Sequence, residues 1–161
     1  MLKLFYKIGE LDFRQLMEVY GETNQRSGKR DYPNFPEGLR LLYAEQDFYQ
    51  YLEIFFEYPD SVYAVWVDDG RYKAALRLEK YAGGLLVTAL ETHLEARRKG
   101  YATKLVSAVS DSFKKTLYSH VQKSNSVSLV VHEKCGFSII SNKAVFLDGS
   151  IQNDYYTMKR L

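Results

Sequence analysis

The sequence predicts one α+β domain. Three observations lead there. Apolar residues alternate in some stretches and recur every three to four residues in others, so strands and helices are both present. Asp69-Gly70, Gly83-Gly84 and Asp148-Gly149 each stand between strand-like runs, and such pairs reverse the chain. The 161 residues hold no internal repeat, no low-complexity stretch and no linker, which makes a chain the size of one domain.

The elements follow in order. Leu2 to Ile8 alternates and reads as a strand rather than a leader peptide. Phe13, Leu16, Met17 and Tyr20 share one face of a helix. From Asn24 to Pro36 the chain turns polar and collects Gly28, Pro33 and Pro36, which predicts a loop. Leu41, Ala44, Phe48, Leu52 and Phe55 then form the stripe of a helix from about Glu37 to Glu57, closed by Pro59. Ser61–Val67, Arg71–Lys80 and Leu85 to about His93 make three consecutive strands, an antiparallel meander. From about Lys99 the period changes, with Ala102, Leu105, Val106, Val109 and Phe113 at helical spacing. A short strand over Leu117–Val121 and a short helix over Ser126–Cys135 come next, the helix stopped by Gly136. Two strands, about Phe137–Leu147 and Asn153–Lys159, complete a sheet flanked by about four helices.

Composition excludes several function classes. The aromatic load of 14 Tyr and 9 Phe with only 3 Pro argues against disorder. Twenty-two basic against 20 acidic residues leave a net charge of +2, too small for a nucleic-acid binder. One cysteine rules out an internal disulfide framework, and His93, His120 and His132 show no metal-ligand spacing, so no metal is expected. No apolar run approaches the roughly 18 residues that cross a bilayer. The expectation is a soluble cytoplasmic protein without membrane or nucleic-acid partners.

The most informative stretch is Arg97-Arg98-Lys99-Gly100-Tyr101-Ala102, between a strand and an amphipathic helix. The first amides of a helix have no intrahelical acceptor and lie at the positive end of its dipole. A glycine-containing basic turn there suits a phosphate group. It equally suits a solvated basic cap, and the six residues alone do not choose between the two.

Arg97-x-x-Gly100-x-Ala102 resembles the pyrophosphate-binding signature of the GNAT superfamily of acyl-CoA-dependent N-acyltransferases. Asn125 to Phe137, with Asn125, Gly136 and Phe137 in place, resembles the second motif of that family, and the element order matches it over nearly the whole chain. The resemblance implies a GNAT-like mixed, mostly antiparallel sheet that is splayed where the fourth and fifth strands run parallel. It implies acetyl-CoA as cofactor, with backbone at Leu90 and Thr92 pairing with its pantetheine arm. The amides from Arg98 to Ala102 would hold the pyrophosphate, with the Arg97, Arg98 and Lys99 side chains and Tyr101 around it. Asn125 would touch the arm from the far wall. The implied activity is transfer of an acetyl group to a primary amine of a small acceptor by direct attack. A homodimer is common in the family.

Two positions bear on catalysis. His132 stands where the family places the tyrosine that protonates the departing thiolate, and an imidazole can donate a proton there. Glu91 is the candidate base, beside the acyl site. Alternation turns Glu91 away from Leu90 and Thr92 unless a bulge re-aims it, while Leu86 and Thr88 share the parity of Leu90. His93 and His120 read as structural, and Cys135 as a small core residue. The acceptor would meet the first helices, where Tyr32, Phe35, Tyr43, Tyr49, Tyr51 and Tyr58 accompany Glu45, Asp47, Glu53 and Glu57. The missing tyrosine leaves a second reading, a non-catalytic acyl-CoA-binding regulatory module.

Overall fold

In the computed structural model, which describes residues 1–161, the chain opens with β1 (Leu2–Phe5) and a single turn of 3-10 helix at Ile8–Glu10. Asp12 caps α1 (Phe13–Val19) by accepting from the Gln15 amide at 3.1 Å. Tyr20 then joins α1 directly to α2 (Gly21–Asp31), so the loop expected from Asn24 is helical as far as Asp31. The helix packs by close approach at two positions rather than through an apolar stripe. Asn24 is 2% exposed with its amide on the Met17 sulfur, and Gly28 lies where a Cβ would come within 2.6 Å of the Arg40 carbonyl oxygen. Glu22 in the first turn and Lys29 and Arg30 in the last agree with the helix dipole. With α3 (Glu37–Phe55), α4 (Tyr101–Ser112) and α5 (Ser126–Lys134), the α-helices number five rather than four.

The sheet comes from β2 (Val62–Asp68), β3 (Arg71–Tyr81), β4 (Gly84–Thr92), β5 (Leu117–Gln122), β6 (Ser138–Ser141) and β9 (Tyr155–Arg160), joined by β1. The expected long strand 137–147 is broken: β7 (Ala144–Val145) leaves the main sheet and pairs with β8 (Ile151–Gln152) around the Gly149 turn. The main sheet has the order β1-β2-β3-β4-β5-β9-β6, antiparallel except between β4 and β5. That one parallel pair is short. Leu85, Leu86 and Val87 face Leu117, Tyr118 and Ser119, and there the pairing stops. Beyond it β4 stays paired to β3 as far as Thr92, and β5 to β9 as far as Gln122. The two strands therefore part like a fork.

Apolar cores cover both faces. On one, Val62, Ala64, Leu76, Leu78, Leu85 and Val87 pack against Leu105, Val106 and Val109 of α4. On the other, Tyr63, Val65 and Ala75 pack against Leu16, Met17 and Tyr20, with Leu52 and Phe55 of α3. At the closed end of the fork a Cβ on Gly84 would stand 2.1 Å from the Thr116 carbonyl oxygen, which already accepts the Leu85 amide. Gly84→Ala is therefore expected to destabilise the fold by about 1–3 kcal/mol, as forced overpacking does. Gly9→Ala, which meets nothing within 4 Å, is the control in a urea melt. Equal midpoints for the two variants would disprove the close approach.

Candidate functional site

A bulge interrupts β4 just beyond the point where the strands part. Ala75 faces Glu91 and Arg77 faces Thr88, so Leu76 alone opposes both Ala89 and Leu90. Ala89 takes a left-handed φ of 52°, and its carbonyl accepts from the Tyr20 hydroxyl at 2.6 Å. Burial pushes the Tyr20 phenol well above its ordinary pKa, so the hydroxyl keeps its proton and remains a donor. The bulge also resets the alternation. Val87 and Leu90, three residues apart, both pack toward α4, while Thr88 faces the opposite side of the sheet. The parity expected to join Leu86, Thr88 and Leu90 is thus broken at Ala89. Glu91, opposite Ala75, falls on the face of α1 and α2 and accepts from the Thr23 hydroxyl.

The open side of the fork leads to the turn before α4. Arg98 has φ 63° and Gly100 has φ 79°, and two left-handed residues this close curl the main chain so that its amides face one concavity. None of the amides from Arg97 to Thr103 meets an acceptor within the protein; the first that does is Lys104, bonded to the Gly100 carbonyl at 3.0 Å. This row of free donors at a helix N-terminus is what an anion requires.

The parted strands, this turn and α5 enclose a cleft of about 540 Å³. It gathers Leu90, Glu91, Thr92, Arg97, Arg98, Gly100, Tyr101, Ala102 and Asn125, nearly the whole predicted set. Lys99 is the exception among the basic residues: it lines a separate hollow beside Glu18 and Glu95, so only its amide belongs to the turn. The Arg97 guanidinium bridges to Glu22 at 2.8 Å. Asn125 caps α5 by accepting from the Ser128 amide at 3.1 Å, which leaves its side-chain NH2 for the cleft. Arg26 also lines the cleft, and sequence reading missed it because its helix looked like a loop.

His132 does not line the cleft. It is 2% exposed, its ring edge-on to Phe137. Nδ1 lies 2.7 Å from the Ser128 carbonyl, which can only accept, so Nδ1 carries the proton. Nε2 therefore accepts from the Ser119 hydroxyl at 2.8 Å. The imidazole is a neutral link between α5 and the last paired residue of β5. The expectation of a proton donor facing the thiolate is corrected on this point: both nitrogens are engaged inside the protein, because the shorter imidazole stays in the layer below the cleft.

Burial holds the His132 pKa below its ordinary value. The unfolded ring gains its proton below about pH 6.5 while the folded ring stays neutral, so the unfolded state binds more protons and stability falls as the pH drops through that window. His120, also lowered by burial, acts in the same sense. Urea melts from pH 7.5 downward are expected to show a shallower decline for His132→Phe than for the wild type; parallel curves would refute it.

A second cavity, about 530 Å³, lies along the fork and is lined by Leu86, Val87, Thr88 and Ala89 with Tyr51, His120, Phe146 and Tyr155. His120 is stacked on Phe146 at 5.3 Å. It was read as purely structural; only the pairing of β5 reveals that it borders this space. Of the aromatic residues expected there, Tyr51 and Tyr58 border cavities, whereas Tyr32, Phe35 and Tyr43 pack on one another and Tyr49 on Phe13. Glu45 pairs with Arg14, and Asp47 accepts from the Tyr32 hydroxyl. No three His, Cys, Asp or Glu side chains gather as a metal would need, and no helix is long and apolar enough to cross a membrane.

The same fold occurs in solved structures. Solved structures that match include a ribosomal-protein-alanine N-acetyltransferase from Brucella melitensis, 16% identical with a TM-score of 0.68, covering 100% of this chain and 99% of that one. An aminoglycoside 6'-acetyltransferase type Ii is 14% identical, with a TM-score of 0.65 over 99% and 96% of the two chains. The PaiA N-acetyltransferase from Thermoplasma acidophilum, solved with coenzyme A, is 16% identical, with a TM-score of 0.63 over 99% and 98%. No curated protein sequence matches significantly. The model of the acetyltransferase (GNAT) family matches residues 23–137, a span that holds the forked strands, the bulge, the turn before α4 and α5. With more than half of its length matched and the fold in agreement, the chain belongs to the GNAT acetyltransferase family.

Proposed function

We propose that the protein is an N-acetyltransferase that uses acetyl-CoA as donor and a primary amine of a small molecule as acceptor. One observation carries this reading: the strands part beside a row of unengaged amides, a shape that suits a long carrier ending in a diphosphate. Acetyl-CoA would supply an acyl group already activated as a thioester. The amides of Arg98 to Ala102 would hold the pyrophosphate, aided by the Arg97, Arg98 and Arg26 side chains. The unpaired edge of β4 at Leu90 and Thr92 would bind the pantetheine arm as a neighbouring strand does, with Asn125 opposite.

The amine, approaching from the cavity of Thr88 and His120, would attack the acyl carbon directly, and Glu91 would take up the proton that the nitrogen loses. The carbon–sulfur bond would break to release the coenzyme A thiolate, which would take its proton from water. Fixing the two reactants in one orientation would supply most of the acceleration. In this reading His132 holds Ser119, and with it the closed end of the fork, rather than meeting the thiolate itself. The location proposed is the cytoplasm, without nucleic-acid or membrane partners and with a homodimer compatible.

Thiol release from acetyl-CoA across a panel of primary amines tests the proposal. Turnover with at least one amine is expected. Tight coenzyme A binding without turnover on any of them would favour the regulatory acyl-CoA-binding module instead.

A further inference from the structure

Arg77 has no charged partner although it is closely packed. It projects from β3 toward α3, its guanidinium carbon 4.6 Å from the centre of the Tyr51 ring and 5.9 Å from that of Phe48. It makes no ion pair, and its Nε is closed to solvent and without a hydrogen-bond partner. The same holds for the hydroxyls beside it. Tyr63 faces Arg77 from β2 and Thr88 faces it from β4, and the Tyr63 Oη and the Thr88 Oγ1 are likewise buried and unpartnered.

Three side chains in register across three strands thus meet without an anion: the guanidinium can only donate, and the two hydroxyls, although they can accept, carry no charge to balance it. The nearby acids do not fill the role: Glu79 accepts from the Tyr51 hydroxyl at 3.0 Å and lies beyond ion-pair distance, and Glu91 accepts from Thr23. Aromatic faces compensate a desolvated guanidinium only in part, and its natural complement is a planar, two-pronged anion. Thr88 and Tyr51, two of the neighbours of Arg77, line the cavity along the fork, whose lining does not include Arg77 itself, and Thr88 directly precedes the bulge.

We propose that Arg77 and Thr88 form a subsite for a carboxylate of the acceptor, so that the amine acetylated is one bearing a carboxylate a few bonds from its nitrogen, as an amino acid does. The inference rests on the acetyltransferase reading and narrows its substrate class. The carboxylate would accept from the guanidinium beside Thr88, and the amino end would remain on the fork side, where the acyl group is expected.

The test uses matched amines: phenylalanine against phenethylamine, leucine against isoamylamine and lysine against cadaverine, with thiol release from acetyl-CoA as the readout. The wild type is expected to favour the carboxylate-bearing member of at least one pair by about 10- to 100-fold in kcat/KM, the range of hydrogen bonds to a charged group. Arg77→Met, which keeps the length and apolar contact of the side chain, should abolish the preference and leave the KM for acetyl-CoA unchanged. Equal or better turnover of all the decarboxylated members by the wild type, which needs no variant, would overturn the subsite. So would a preference that persists in a folded Arg77→Met. Should no amine turn over, the acetyltransferase reading fails on its own, and calorimetry on the coenzyme A-loaded protein decides the subsite. Tighter binding of N-acetylphenylalanine than of N-acetylphenethylamine would uphold it, and equal binding of the two would overturn it.

Discussion

Gly100→Asp is expected to weaken coenzyme A binding by at least a hundredfold in calorimetry. Charge is the cause rather than strain in the turn that aligns the amides: Gly100 has φ 79°, and aspartate tolerates such a left-handed backbone, as Asp60 and Asp69 do here. The new carboxylate would stand beside the anion that those amides attract; at about 5 Å and an effective dielectric of about 20, two unit charges repel by roughly 3 kcal/mol. Space is not the obstacle, since a Cβ on Gly100 meets nothing within 4 Å. Gly100→Asn, neutral and tolerant of a left-handed backbone, should therefore lose only a few-fold. An aspartate variant that binds as the wild type does would place the phosphates elsewhere.

Glu91→Gln should lower the maximal rate by about 100-fold or more, the usual contribution of a positioned base, while coenzyme A affinity stays unchanged. The amide keeps the size of the side chain and can still accept from the Thr23 hydroxyl, so loss of packing does not enter. The informative comparison is His120→Gln. His120 borders the cavity on the other arm of the fork, and burial keeps it neutral, able to accept a proton. A full rate in Glu91→Gln beside a depressed one in His120→Gln would move the base to the histidine. An equal, modest loss in both would mean that the amine gives up its proton to water.

Much of this was legible in the residues. The β2–β3 hairpin follows from Asp69-Gly70, because few other pairs adopt the backbone that a two-residue hairpin needs. The β3–β4 turn falls one residue before the expected Gly83-Gly84, on Ala82 and Gly83 with φ 46° and 80°, Gly84 already being in β4. The start of α4 and the turn before it follow from the change of period after Lys99. Three features did not show. α2 is polar because it packs through Gly28 and Asn24 rather than through an apolar stripe, and periodicity detects only stripes. The bulge at Ala89 carries no glycine to announce it; a buried tyrosine 69 residues earlier in the chain holds it. Arg77 looks like an ordinary surface residue in an alternating strand, and only the sheet register sets it between Tyr63 and Thr88. The motif-bearing residues were readable because they are local. The acceptor side was not, because it is assembled from distant segments.

Only three residue pairs knit the halves of the main sheet together, those of Leu85 to Val87 with Leu117 to Ser119. Four strands lie to one side of that seam and three to the other, with a shared core in which Leu105, Val106 and Val109 meet Leu117, Val121 and Met158. A carrier bound in the gap as proposed would act as mortar between two leaves of one wall, and its concentration would set how firmly the leaves hold. Grip on the ligand and cohesion of the architecture are then one property.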